Sequence, residues 1–117
     1  MNTIIISTIS NEAASKTKGL LLKERLDPLL SSKKHNIVVD FSGITRFASP
    51  FFNHSFAALA LVYGFEQIRS IKIENISEVG QSTYQTSMEN AEMVAQYDKQ
   101  IEEINQIIDN TPKKVTP

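Results

Sequence analysis

The sequence predicts a small α/β domain with a mainly parallel sheet, α-helices packed on it and a long C-terminal helix. Short β-branched or apolar runs alternate with longer segments of helical periodicity, in the order strand–helix repeated three times. Alternation of this kind implies parallel strands joined by right-handed crossovers. The 117 residues suit one domain with a single core, and 41% of them are apolar against 21% charged, which is a globular balance.

Three segments have the composition of strands. Residues 3–9 are rich in Ile and Thr, whose β-branched side chains fit a pleated surface. Residues 37–41 form a short continuous apolar run, which is typical of a central strand buried on both faces. Residues 68–73 form the third strand, and a fourth could lie within residues 10–18 or at a dimer edge.

The first helix is predicted over about residues 12–31, where leucines repeat at helical spacing. Ser10 or Asn11 supplies its cap. Gly19 and Pro28 weaken this helix locally, because glycine costs backbone entropy and proline removes a donor. A kink or an early end is therefore expected just before the proline.

The second helix is predicted to begin at Pro50, with Ser49 as its N-cap and Gly64 as its terminating residue. Four phenylalanines lie within ten residues of this region: Phe47, Phe51, Phe52 and Phe56. They either pack in the core, or one or two of them are exposed as a contact patch.

The last helix is predicted over about residues 77–109, capped by Asn75 or Ser77. Its apolar residues are spaced 3, 4, 3 and 4 apart: Val94, Tyr97, Ile101, Ile104 and Ile108. That spacing is a heptad seam, which either packs on its own sheet or pairs with a second copy as a homodimer. The remaining residues, 111–117, are predicted to be a disordered tail after a single domain over residues 1–110.

Composition excludes several classes of function. The absence of cysteine removes disulfides, thiolate zinc sites and cysteine nucleophiles, and it favours a cytoplasmic protein. The formal net charge of -1 is unlike the basic footprint of a nucleic-acid-binding protein. The sequence has neither an apolar run of about 18 residues nor the features of a signal peptide, so no membrane association is expected.

Catalytic and cofactor motifs are missing from the sequence. It contains no P-loop, no Gly-x-Gly-x-x-Gly and no nucleophile elbow, and its four glycines are too few for a usual phosphate-binding loop. His35 and His54 are far apart and are interpreted as surface residues rather than metal ligands. We therefore expect a protein that is not an enzyme and that has no cofactor or metal.

Two polar residues near the central strand are the best site candidates. Asp40 ends this strand at its carboxyl edge, where open α/β sheets bind ligands. It is either an acid, ligand or phosphate acceptor, or a cap whose carboxylate accepts N–H groups near Ser42 and Gly43. Ser49 is either an ordinary cap or a regulatory site for phosphorylation.

The middle of the chain, residues 19–65, carries a recognisable series of motifs. They are Asp40-Phe41-Ser42-Gly43-Ile44, then Ala48 to Phe56 (ASPFFNHSF), and Gly64. This series resembles the bacterial and phage STAS-like family, whose members show a strand ending in Asp-Phe-x-Gly-Val, then Ser-x-Ser-Phe-x-(Asp/Asn)-Glu-x-Phe and a glycine after the helix. STAS domains are their larger relatives, found in anti-sigma factor antagonists and in the cytosolic tails of sulfate transporters.

The resemblance implies a STAS-like adaptor that binds a protein partner, such as a GHKL-type ATPase or kinase that phosphorylates a serine. The implied partner-binding residues are Asp40, Ser42, Ser49, Phe51 and Asn53, with Ser49 as the candidate phosphorylation site. Three positions depart from the pattern: Ala48 replaces an aspartate, Pro50 the usual phospho-acceptor serine and His54 a glutamate.

Two other hypotheses belong to different classes. One is a nucleotide- or small-molecule-sensing domain with a polar pocket near Asp40. The other is a structural module that self-associates through residues 94–108.

Overall fold

The computed structural model describes residues 2–34 and 36–110, apart from the side chains of residues 100–110. Its sheet has three strands: β1 (Asn2–Ile5), β2 (Ile37–Asp40) and β3 (Lys72–Glu74). They lie in the order β1-β2-β3, and both pairings are parallel. The predicted α/β class and the central position of the second strand are therefore confirmed.

The strand register separates a core face from an opposite face. Val39 lies between Ile4 of β1 and Ile73 of β3, and these three side chains point toward the helices. Val38 points the other way, yet it is only 4% exposed. As predicted, β2 is buried on both faces, since Ile37, Val38 and Val39 are all at most 5% exposed.

Both outer strands are shorter than predicted. The chain leaves β1 after Ile5 and forms a short 3-10 helix over Ile6–Thr8. Ile68 belongs to a helix instead of the third strand, and the Ile71 amide donates to its carbonyl oxygen at 3.1 Å. Local turn hydrogen bonds thus override the β-branched composition at both places.

The first helix, α1 (Lys16–Ser31), begins later than predicted. Ser15, not Ser10 or Asn11, is its N-cap, and the Ser15 hydroxyl accepts a hydrogen bond from the Lys18 amide at 3.2 Å. The residues before it are held in an extended conformation by a bridge to the loop after β2. The helix also continues past Pro28 instead of ending before it.

That bridge replaces the predicted fourth strand. Ala13 pairs in parallel with Phe47 as an isolated bridge. The Ala13 amide donates to the Arg46 carbonyl oxygen at 2.9 Å, and the Ala48 amide donates to the Ala13 carbonyl oxygen at 3.0 Å. Two backbone hydrogen bonds therefore join the start of the chain to the loop that follows the central strand.

The second helix, predicted from Pro50 to Gly64, is divided into two short helices, α2 (Ser49–Asn53) and α3 (Phe56–Tyr63). The break lies at Ser55, whose buried hydroxyl donates to the Phe51 carbonyl oxygen at 2.7 Å. Gly64, which has a φ of +101°, ends α3 as predicted. A further short helix, α4 (Phe65–Arg69), follows Gly64 and includes the start of the predicted third strand.

The last helix, α5 (Glu78–Asn110), contains 33 residues. The Gly80 amide donates to the Ser77 hydroxyl at 3.2 Å, so Ser77 rather than Asn75 caps the helix. The helix runs through Gly80 without a break. The predicted tail over residues 111–117 and His35 lie outside the described residues, as do the side chains of the three seam isoleucines.

Aromatic side chains form the centre of the core. Six rings are in contact there: Phe41, Phe47, Phe51, Phe52, Phe56 and Tyr84. Phe52 contacts the other five, and Phe47 is half-buried. Because each buried ring removes a large apolar area from water, these contacts dominate the packing of the helices on the sheet.

Candidate functional site

Asp40 lies at the carboxyl end of β2 and organises the loop that follows. Its Oδ1 accepts hydrogen bonds from the Ser42 amide at 2.9 Å and from the Ser42 hydroxyl at 2.7 Å. The same oxygen accepts a third hydrogen bond from the Asn75 side-chain amide at 3.0 Å. Since β2 and β3 are parallel, Asn75 leaves β3 at the same edge of the sheet and reaches the carboxylate.

These donors lower the pKa of the Asp40 carboxyl, with Asn75 contributing most and Ser42 next. A carboxylate that accepts several hydrogen bonds is favoured in its ionised form. The capping interpretation of Asp40 is therefore confirmed at Ser42. Sequence reasoning missed Asn75, although its position directly after a parallel strand could have indicated it.

The loop over residues 42–48 is exposed but held at several points. Gly43 has a φ of +80°, which permits the turn after Ser42. Ile44 is 6% exposed and anchors the middle of the loop in the core. Arg46 is solvent-exposed and approaches Glu12 at 3.7 Å. A rigid scaffold that presents a polar loop is a common arrangement for binding sites.

Ser49 and Pro50 are the exposed first residues of α2. The prediction that Ser49 is the N-cap is wrong by one residue, because Ala48 occupies the cap position and Ser49 is already helical. The bridge between Ala13 and the loop fixes Ala48 in an extended conformation, so the helix begins directly after it. The Ser49 side chain thus stays at the surface.

Asn53 is exposed at the end of α2, and it also joins this helix to α5. Its Oδ1 accepts a hydrogen bond from the Ser87 hydroxyl at 2.5 Å. Ser87 is buried, so this contact satisfies its hydroxyl. Sequence reasoning selected Asn53 but missed Ser87, which lies 34 residues further along the chain.

Phe51 is the one implied contact residue that does not reach the surface. Its side chain is fully buried and contacts the rings of Phe41 and Phe52. The interpretation of Phe51 as an exposed contact is therefore not supported, because apolar packing between α1, α2 and the sheet occupies its ring. Phe51 can position the surface but does not form it.

The structure brings some of the selected residues together and separates others. Asp40 and Ser42 share hydrogen bonds, whereas Ser49 and Asn53 lie beyond the loop on α2.

Within the described residues, no three His, Asp or Glu side chains are grouped as metal ligands. The same residues include no helix with the length and apolar character needed to cross a membrane.

A cavity of about 730 Å³ lies beside β2 and β3. Its lining includes Lys33, Lys34, the start of β2 and Glu74 at the end of β3, but not Asp40. The predicted polar pocket near Asp40 is a different location, so the nucleotide-sensing hypothesis stays a prediction.

Fold and site together define a small α/β domain with a parallel sheet and a structured, exposed loop at the carboxyl edge of its central strand. A family model described as "STAS-like domain of unknown function (DUF4325)" matches residues 18–81, which is more than half of the 117 residues. The chain belongs to this STAS-like family. Neither the search of curated proteins nor the search of solved structures found a match.

Proposed function

We propose that this STAS-like domain is a non-enzymatic adaptor that binds a protein partner through the loop over residues 42–49 and the exposed side of α2. We name this surface the docking face, and it includes Ser42, Ser49 and Asn53. The observation that carries the proposal is that this polar surface is exposed while its backbone is fixed at both ends. A preorganised surface loses little conformational entropy when a partner binds.

The fixed ends are separate contacts. At one end, the Asp40 carboxylate accepts three hydrogen bonds, one of which comes from β3. At the other end, Ala13 forms two backbone hydrogen bonds with residues flanking Phe47. Asn53 fastens α2 to α5. Binding therefore does not require the loop to fold first.

Ser49 gives the docking face a means of regulation. A phosphate on its exposed hydroxyl would add a charge of about -2 and three acceptor oxygens to the middle of the face. The family resemblance makes a GHKL-type ATPase or kinase the expected partner. Because Pro50 replaces the serine at which STAS domains are usually phosphorylated, Ser49 is the position at which modification is expected.

The test compares wild-type protein with Ser49→Glu as baits in extracts of the native cell. Proteins captured by wild type are identified, purified and titrated calorimetrically against each variant. We expect Ser49→Glu to weaken binding at least about tenfold, because an uncompensated carboxylate placed in an interface is costly.

Ser82→Glu is the matched control, since Ser82 is also an exposed serine but lies on α5 away from the docking face. It should bind like wild type. If all three proteins bind the partner with equal affinity, or if both variants lose affinity equally, the proposal that the partner binds at the docking face is contradicted. Phe51→Ala is unsuitable as a binding test, because removing this buried ring would destabilise the core.

A further inference from the structure

The long helix α5 packs on its own domain near its start. Helical rise places the 33 residues along roughly 50 Å. Among its described side chains, those of residues 78–99, the buried positions lie toward the start of the helix: Gly80, Tyr84, Ser87 and Met88. Near the end of this packed region, Arg69 of α4 donates to Glu92 through two nitrogens at 2.9 and 3.3 Å. The helix continues for 18 residues after Glu92.

Large apolar side chains are exposed directly after that ion pair. Met93 is 66% exposed, Val94 58% and Tyr97 62%. Polar or charged residues would be expected at exposed positions of a helix that functions alone in water. These three residues instead form an apolar patch on neighbouring turns, and Met93 and Tyr97 lie well around the helix from the face that packs on the domain.

The sequence continues this patch at coiled-coil spacing. After Val94 and Tyr97, the next apolar residues at intervals of 4, 3 and 4 are Ile101, Ile104 and Ile108. We name these five positions the α5 seam. A repeat of 3 and 4 places residues along one side of a helix, and its usual complement is the same repeat on a second helix.

The charge pattern beside the seam favours a second copy over a charged partner. The heptad positions next to the seam are Met93, Asp98, Gln100, Asn105 and Ile107, of which only one is charged. Lys99, Glu102 and Glu103 fall on the outward positions of the heptad. Two copies therefore meet with little like-charge repulsion, whereas a strongly basic or acidic helix would find few complementary charges.

We propose that the α5 seam pairs with the seam of a second copy, so that the chain is a homodimer joined by its C-terminal helices. The apolar patch that follows Glu92 is then buried between the copies. The dimer carries two docking faces, and a partner with two binding sites would gain avidity from it. This inference does not rest on the proposed function, because the seam and the docking face consist of different residues.

Sedimentation equilibrium of the purified full-length chain, from micromolar to millimolar concentration, measures the association directly. We expect a species of about 26 kDa, twice the 13.1 kDa of one chain. The double variant Val94→Glu/Tyr97→Glu should raise the dissociation constant by at least about 30-fold, as expected when central apolar contacts are replaced by charges.

The control is Thr86→Glu/Gln96→Glu, which adds the same charge at two exposed positions of α5 outside the seam. It should dimerise like wild type. Circular dichroism and a milder single variant, Tyr97→Gln, show whether any loss reflects unfolding. A wild-type monomer throughout the concentration range, or a dimer equally strong in the double variant, would overturn the proposal.

Discussion

The three hydrogen bonds accepted by Asp40 come from two places in the sequence, and their strength depends on the charge of the carboxylate. Ser42 lies two residues from Asp40 in the sequence, whereas Asn75 lies 35 residues away, directly after β3. Hydrogen bonds to a charged acceptor are roughly twice as strong as bonds between neutral groups. The ionised carboxylate therefore joins the loop of the docking face to the residue that follows the neighbouring strand, β3.

Replacing Asp40 with Asn should lower the thermal unfolding midpoint at pH 7, because a neutral amide is a weaker acceptor for Asn75 and Ser42. The pKa of Asp40 is lowered from its ordinary value of 3.8, by Asn75 first and then by Ser42. A group with a lower pKa in the folded state stabilises the fold above its unfolded pKa, and the effect disappears as pH falls through the folded pKa. The difference between Asp40→Asn and wild type should therefore shrink below pH 3.8.

Glu24→Gln is the control, because Glu24 is an exposed carboxylate on α1, away from both Asp40 and the α5 seam. Calorimetric scans of all three proteins from neutral to acidic pH provide the comparison. An Asp40→Asn midpoint equal to that of wild type at pH 7, or a difference that grows in acid, would contradict the role assigned to the carboxylate.

At the scale of elements, α1 and α2 pack so closely that one glycine determines their separation. Gly19 is buried in α1, facing the backbone of Phe51. A Cβ atom at this position would overlap the Phe51 carbonyl oxygen and lie 3.1 Å from its carbonyl carbon. The contact depends on the missing side chain, since backbone atoms cannot move aside as a flexible side chain would.

Gly19→Ala should therefore destabilise the protein by about 1–3 kcal/mol, as expected for overpacking. In an exposed helix the same change would stabilise by about 1 kcal/mol, so the sign of the effect is diagnostic. Urea unfolding measures it. Thr17→Ala, at an exposed position of the same helix, should change stability by less than about 0.5 kcal/mol. A stabilised Gly19→Ala variant would show that the two helices are not in close contact.

The elements predicted correctly are those with strong local signals. The short apolar run of β2 indicated a central strand, Gly64 indicated a helix end and Ser77 indicated a cap. Each depends on a few adjacent residues whose conformational preferences agree with the fold. The order of strands and helices followed because alternating elements have few ways to connect.

The predictions that failed depended on contacts between distant residues. The helix α1 begins later than predicted because Ala13 pairs with Phe47. The helical pattern around Ser10 gives no indication of this pairing. The break before α3 depends on the hydroxyl of buried Ser55 within an otherwise apolar run. For the candidate site, the hydrogen bond between Asp40 and Ser42 could be predicted from the sequence. The hydrogen bond between Asp40 and Asn75 could not, because it depends on the order of the strands in the sheet.

At the scale of the whole molecule, the docking face and the α5 seam occupy different elements. The docking face is formed by the loop after β2 and by α2, which the sheet and the aromatic core support. The seam begins after the ion pair that joins Glu92 of α5 to Arg69 of α4. A partner can therefore reach the docking face of each copy in the proposed dimer without competing for the seam.

Hydrogen exchange of the full-length chain, alone and in complex with its captured partner, tests the docking face most directly. We expect amide exchange in residues 42–53 to slow on binding, because these residues become covered by the partner. Residues 16–34, which include α1, should exchange at the same rate in both samples. Slower exchange confined to the cavity lined by Lys33 and Lys34 or to α5, with residues 42–53 unchanged, would contradict the account.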